Sequence, residues 1–473
     1  MAIQRWIDQA QQQLDAFNVE KIRATGILPD QGAKFFPVIG YPPLTMFTGM
    51  DQTALFKDFS SRQARPMIAY VHIPFCPSRC TFCHWITKTK SKTEEVDVYL
   101  DYLEKEMILY KTNLGYDAIP VESVLIGGGT PTYLTPKQMA RFLAFFTKHF
   151  DLSGCTQFSM EAEPKTLLGQ AGLEKLTIMK EYGVQRISMG VQSFDNDILA
   201  YMGRVHSRQD TLDAIKQIRV AGIENIFIDL IYAYPNQSLS NWAENMLTAV
   251  NLDIEGYQLY RLRIKQHGDR QGNIIKQVEK KSVKMPATDD ILLMKSLGIL
   301  LSKAHGFDEH QTRIFAKNSH DISHYLRDWC CRLTDVVGIG VSSWSNIRGV
   351  FALNVGDQDL AQYYSLIDQN KVAINRGKLR TRDDEVRRSF ILPLKNMKVS
   401  KAFFQESVGV PLDIYFAEQI NYLKGLHLLD ENDSHVWLTE SGRFFADEVC
   451  TQFFNPDYLP FPEVMRIPKA AFG

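Results

Sequence analysis

The sequence predicts an α/β chain: a partial, open (β/α)6 barrel of the TIM type, with an N-terminal arm and a small winged-helix-like α+β domain at the C-terminus. Three observations lead there. Six short apolar runs between residues 67 and 264 alternate with amphipathic stretches, the pattern of parallel βαβ units. Cysteine, glycine and acidic residues collect where those runs end, and the C-terminal ends of barrel strands are where sites assemble. From about Arg376 the rhythm gives way to short helices and a hairpin.

Taken in order, residues 1–65 form the arm: a polar helix, then the proline-broken run FFPVIGYPPLTMF at Phe35–Phe47. Residues 66–265 carry the barrel. Met67 to Ile73 is the first strand and feeds a cysteine loop. Lys92 to Lys111 is a helix, because Val96, Tyr99, Leu100, Leu103, Met107 and Tyr110 fall on one stripe. The second strand, VESVLI, runs into Gly127-Gly128-Gly129-Thr130-Pro131, and Thr135-Pro136 caps the helix that follows. Strand three is Gln157–Ala162, ending at Glu161 and Glu163; strand four ends near Gln192. A helix from Ser207 stops at Gly222. Strand five, Ile226–Ile231, carries Asp229, and strand six is Gly256–Ile264 after a helix over Trp242–Val250. Residues 266–375 read as an extension and connection, with a helix near Asp289–Ala304 and a glycine-rich turn at Val336–Trp344. Residues 376–473 form the last domain, in which Leu426–Asp430 and His435–Leu438 flank a turn. Its role is packing or covering the barrel.

Composition excludes several classes. A chain 45% hydrophobic and 23% charged is an ordinary globular one. A net charge of −1 gives no basic footprint for nucleic acid. No apolar run approaches the length that spans a bilayer, and the amphipathic N-terminus lacks the apolar centre of a secretory signal. Seven scattered cysteines do not form a disulfide framework, so the expected location is the cytoplasm.

The chemistry centres on YVHIPFCPSRCTFCHW at Tyr70–Trp85, where Cys76, Cys80 and Cys83 stand in a C-x3-C-x2-C run. Iron–sulfur clusters are normally held by four thiolates, so three leave one iron open to a ligand. A Cys3His zinc site using His84 or His72 is the other reading of this run. Glycines at 127–129 let a ligand lie against bare backbone. Arg204 offers a fork for a carboxylate, and Asp229 suits an ammonium or ribose hydroxyls.

The cysteine run followed by GGGTP after the second strand resembles the radical S-adenosylmethionine (SAM) superfamily. YVHIPFC, GGGTPT, EAEP, MGVQSF, MGR at Met202–Arg204 and IDLIY narrow the resemblance to its HemN-type group, over roughly residues 66–350, with the tail similar to that group's C-terminal domain. That group includes oxygen-independent coproporphyrinogen III dehydrogenase and the class C radical SAM methyltransferases. The resemblance implies a [4Fe-4S] cluster on Cys76, Cys80 and Cys83 and two SAM molecules. Tyr70, Gly128 and Glu161 would hold the cluster-bound SAM; Phe82, Gly129, Thr130, Gln192, Arg204 and Asp229 would hold the second. It further implies reductive cleavage of SAM to a 5′-deoxyadenosyl radical, with electrons from a flavodoxin- or ferredoxin-type donor.

Within the group, the dehydrogenases continue the cysteine run into a CGC ending, whereas this chain has Cys83-His84-Trp85. The expected reaction is therefore class C: methyl or methylene transfer from the second SAM to an sp2 carbon, with a tetrapyrrole such as haem among the substrates. Oxidative decarboxylation of coproporphyrinogen is the alternative. A haem chaperone of the HemW type is the third, opposed by the long arm and the retained second-SAM residues.

Overall fold

The computed structural model describes residues 2–28, 38–57, 59, 66–262, 274, 283–356 and 360–458. The start of the proline-broken run and the end of the sixth strand's expected range, residues 263 and 264, lie outside the described residues.

Six strands lie parallel and in sequence order: β1 (Met67–Ile73), β2 (Ile119–Gly128), β3 (Gln157–Ala162), β4 (Arg186–Gln192), β5 (Asn225–Tyr232) and β6 (Gly256–Arg261). The expected α/β barrel class is therefore the fold observed. Every residue of β1 is buried, which is why it reads as an unbroken apolar run rather than an alternating one. Helices cross between the strands. In α1 (Thr93–Leu114) all six stripe residues are buried, and Gly115 ends the helix at φ 70°. Thr135 caps α2 (Pro136–His149) in a reciprocal box with Gln138, and Ser207 caps α3 (Arg208–Val220) with Asp210. Each cap satisfies amide donors that the first turn of a helix leaves open.

Val336–Trp344 is more than the expected turn. Val336–Ile339 is a strand, β7, parallel to β1 on the side away from β2, with Val336 opposite Ile68 and Ile339 opposite Val71. β8 (Trp344–Ile347), β9 (Val350–Asn354) and β10 (Ile374–Leu379) then extend that edge antiparallel. The glycines suggested a turn, yet Gly338 sits inside β7 because a Cβ there would lie 2.1 Å from the Trp344 carbonyl oxygen. At the turn beyond it, buried Glu106 accepts from the Gly340 amide at 2.7 Å, Asn354 at 2.8 Å and Tyr363 at 2.8 Å.

The C-terminal hairpin is β12 (Leu429–Glu431) and β13 (His435–Leu438), joined on its far side by β11 (Lys398–Ser400), which the sequence did not announce. Asn432 fixes the turn by accepting from the amides of Ser434 and His435. Alternate residues of β1 serve two cores. Ala69, Val71 and Ile73 join the main barrel core, whereas Ile68 and Tyr70 join a second core with Val38 and Tyr41 of the arm and Phe390, Phe416 and Phe453 of the C-terminal domain. Among the described residues no helix is long and apolar enough to cross a membrane.

Candidate active site

The cysteine loop leaves β1 at Ile73 and is tied down on several sides. Its Phe75–Cys76 segment pairs with Lys88–Thr89, and the Lys88 amide donates to the Pro74 carbonyl at 2.7 Å. The Gly129 amide donates to Ile73 O at 2.8 Å, joining the loop to the end of β2. From the far side, Met202 O accepts from the Thr81 amide and Gly203 O from the Ser78 hydroxyl, both within 2.9 Å. Gly203 has φ 73°, and a Cβ there would lie 3.1 Å from Arg79 O, so the middle residue of the MGR motif is set by backbone approach to this loop.

Cys76, Cys80 and Cys83 are all free thiols. The Thr130 hydroxyl lies 3.3 Å from Cys76 Sγ, and Arg204 Nη1 donates to Cys80 Sγ at 3.3 Å. Burial pushes the Cys76 thiol up to about 12 and Cys83 up to about 11, and the neighbouring cysteines push the same way. A cation bound to the three sulfurs reverses that balance, because ligation stabilises the thiolate. Among the described residues no three His, Cys, Asp or Glu side chains converge as a single-ion site. Sulfurs on separate corners of a cluster stand farther apart than the ligands of one ion. His72, one candidate fourth zinc ligand, is engaged in the barrel wall, with Tyr70 OH 3.1 Å from Nδ1 and Ile86 O 3.4 Å from Nε2. The donor set fits a cluster.

The glycine triplet turns out differently from its sequence reading. A Cβ on Gly127 would lie 2.7 Å from Glu161 Oε2, one on Gly128 2.8 Å from the His72 ring, and one on Gly129 2.8 Å from the Pro74 backbone. The protein itself fills all three positions, so the triplet is required by packing even before any ligand. Gly128, at φ 114°, also donates its amide to Glu161 Oε2 at 3.0 Å.

Behind the glycines lies a cluster of charges, Arg186 buried and Glu161, Asp229 and Arg204 partly so. Burial, reinforced by Asp229, raises the Glu161 carboxyl to about 7. Burial likewise raises Asp229 to about 7 against the pull of Arg186 and Arg204. Arg186, lowered to about 10 by burial, lies over the Phe227 ring at 4.1 Å. Asp229 Oδ1, Arg204 Nε and two Arg186 nitrogens are buried with no hydrogen-bond partner among the described residues. Such orphaned groups are costly unless a ligand satisfies them. An amino-acid moiety with ribose hydroxyls carries matching donors and acceptors, so these residues fit SAM.

Gly190 stands opposite Asp229 across β4 and β5, and the Gln192 amide group folds back over it; Gln192 itself has φ 70°. Arg204 Nη2 donates to Gly190 O at 2.5 Å. The structure thus joins Cys76 to Thr130, Cys80 to Arg204, and Gly128 to Glu161 and Asp229. Two expected residues sit apart from these contacts. Phe82 packs in an apolar cluster with Met202 and Tyr234, and the Tyr70 ring stacks on Trp344 at 4.6 Å. Trp85 continues that stack, 6.1 Å from Trp344, and is 43% exposed.

Sequence reasoning missed Arg186, Trp344 and a buried pair of Glu163 and His206, whose Oε1 and Nδ1 are 2.7 Å apart. Glu163 follows Glu161 by two residues and His206 follows Arg204 by two, but nothing in the sequence pairs them with each other.

Comparison with known proteins bears on the family and the fold. Residues 70–249 match the Radical SAM superfamily and residues 381–445 the HemN C-terminal domain. The chain is 31% identical over 389 residues to the heme chaperone HemW of Bacillus subtilis, covering 82% of this chain and 99% of that protein. It is 27% identical over 432 residues to the oxygen-independent coproporphyrinogen III oxidase of Escherichia coli, covering 87% and 91%. The solved structure of coproporphyrinogen III oxidase (HemN) from Escherichia coli superposes with a TM-score of 0.75 at 25% identity, covering 89% of this chain and 97% of that one.

Proposed function

Because the chain belongs to the HemN-type group of the radical SAM superfamily, whose members use a [4Fe-4S] cluster and SAM, we propose that it is an enzyme of that kind acting on a tetrapyrrole, with a second SAM as methyl or methylene donor. The observation that carries the SAM reading is the meeting of three free thiols with unsatisfied buried groups on Asp229 and Arg204. Cys76, Cys80 and Cys83 would hold the cluster. Gly128 and Glu161, with Tyr70 behind them, would hold the cluster-bound SAM. Phe82, Gly129, Thr130, Gln192, Arg204 and Asp229 would hold the second. Bound there, the cluster with SAM supplies one-electron cleavage of a sulfonium carbon–sulfur bond.

The chain's own residues orient and shield that chemistry. Thr130 hydrogen-bonds the Cys76 sulfur, and Arg204 directs its guanidinium at Cys80. Glu161, whose carboxyl burial raises to about 7, accepts from Gly128 and would take hydrogen bonds from the amino end of SAM. Buried Tyr70, His72 and Phe75 close the wall behind the cysteine loop and keep water from a reactive intermediate. Trp85 favours a flat conjugated substrate: it occupies the place of the dehydrogenases' extra cysteine and presents an exposed ring on a stacked aromatic support.

The likeness to HemW favours a second reading, a chaperone that carries haem. One assay separates the readings. The oxygen-free, reconstituted protein is given reductant, SAM and either haem or coproporphyrinogen III, and the SAM products are quantified. S-adenosylhomocysteine together with 5′-deoxyadenosine supports group transfer. 5′-Deoxyadenosine alone with coproporphyrinogen supports decarboxylation. Haem bound and released with neither product supports the chaperone.

A further inference from the structure

We infer that Glu163 and His206 are positioning residues: a buried clamp that aims Arg204 at the cysteine loop and the SAM site. The inference rests on the reading of Arg204 as a ligand-binding group. Glu163 lies just beyond β3, whereas Arg204 and His206 lie in the segment entering α3. Glu163 is 3% exposed, and the His206 side chain is fully buried. Glu163 Oε1 lies 2.7 Å from His206 Nδ1 and 3.7 Å from Arg204 Nη2. The other ring nitrogen, Nε2, lies 3.1 Å from Val191 O. The ring is therefore held at both nitrogens, by a side-chain carboxyl on one side and a backbone carbonyl on the other.

The geometry fixes Arg204 from three sides. Nη2 is held by Gly190 O and by Glu163, and Nη1 then reaches Cys80 Sγ, leaving Nε without a partner among the described residues. Other charges face the pair from neighbouring elements. Lys165 donates to Val205 O at 3.3 Å, Lys175 carries its charge beside Glu163, and Asp210 on α3 lies near His206. Glu163 is thus one anion serving Arg204, His206 and Lys175. With its charge removed, Arg204 Nη2 loses its anionic contact and is held by Gly190 O alone. Glu163 also accepts from the Thr166 amide through Oε2, a helix-capping contact that a glutamine retains. Glu163→Gln therefore removes the charge and spares the cap.

The test uses the full chain, reconstituted with its cluster and left oxidised so that no turnover occurs, with SAM binding measured by equilibrium dialysis. Arg204→Ala is expected to weaken binding about tenfold, and Glu163→Gln and His206→Asn several-fold each, with the Glu163→Gln/Arg204→Ala double variant no weaker than Arg204→Ala alone. Unchanged binding in Arg204→Ala overturns the reading of Arg204 itself. Weakened binding in Arg204→Ala beside wild-type binding in Glu163→Gln overturns the clamp alone, as do losses that multiply in the double variant. Should Glu163→Gln fail to take up iron, histidine nitrogen NMR of the unloaded wild-type chain decides the matter, with His206→Asn giving the assignment. A His206 Nδ1 held in a hydrogen bond in the folded chain supports the clamp, and an Nδ1 with no hydrogen bond overturns it.

Discussion

Gly128 and Glu161 meet at the mouth of the barrel, the amide of one donating to the carboxylate of the other across 3.0 Å. The contact needs a backbone at φ 114° and no side chain, since a Cβ on Gly128 would strike the His72 ring at 2.8 Å. Gly128→Ala is therefore expected to destabilise the protein by about 2–5 kcal/mol, from backbone strain and overpacking together. Thermal melts of the unloaded chain measure it; a loss below about 1 kcal/mol would contradict the close packing described.

Cys80→Ala is expected to abolish the broad visible absorption of the reconstituted protein, whereas Cys155→Ala leaves it intact. Cys155 lies between α2 and β3, packed against the main barrel core and outside the cysteine loop's sequence, so it serves as the control. Iron retained in Cys80→Ala at the wild-type ratio would refute the ligand assignment.

Asp229 ties stability to pH. Its carboxyl stands at about 7 in the folded chain against 3.8 when unfolded, so between those values the folded state holds more protons. Stability of the unloaded chain should then fall as pH rises from about 4 to about 7 and level off above, by an amount on the order of a few kcal/mol. Asp229→Asn removes this slope, so the difference in melting temperature, variant minus wild type, should be more favourable at alkaline than at acidic pH. A difference that does not change with pH would count against the assigned shift.

Trp85 is half exposed, so its truncation costs the fold little. Trp85→Ala should weaken binding of a planar tetrapyrrole, with haem as the probe, by roughly two- to tenfold, the worth of one aromatic stack. Iron content and melting temperature should stay near wild type. Unchanged haem affinity, measured by absorption titration, would remove Trp85 from the substrate surface.

Some of this was readable beforehand, and the reasons differ by element. β1, β3 and β4 show as apolar runs because parallel strands are buried on both faces. β7 did not show, since Gly338 and Gly340 carry no apolar side chains and serve backbone contacts to Trp344 and His72 that only the fold brings near. The three cysteines were legible because cluster ligation leaves a short-range spacing. Glu163 and His206 were not, because 43 residues separate them and neither alone departs from an ordinary buried polar residue. The glycine triplet was legible as a special site, yet its close partners Glu161, His72 and Pro74 could be found only in three dimensions.

The two-sided role of β1 ties the thiol-bearing loop to a core that also takes in the arm and the C-terminal domain. Ile68 and Tyr70 rest on the same apolar mass as Phe390 and Phe453, while the next residues along the strand lead into the thiol-bearing loop. Substitutions that thin that second core would therefore reach the thiol-bearing loop from a distance, through a loosened support and not through any missing ligand.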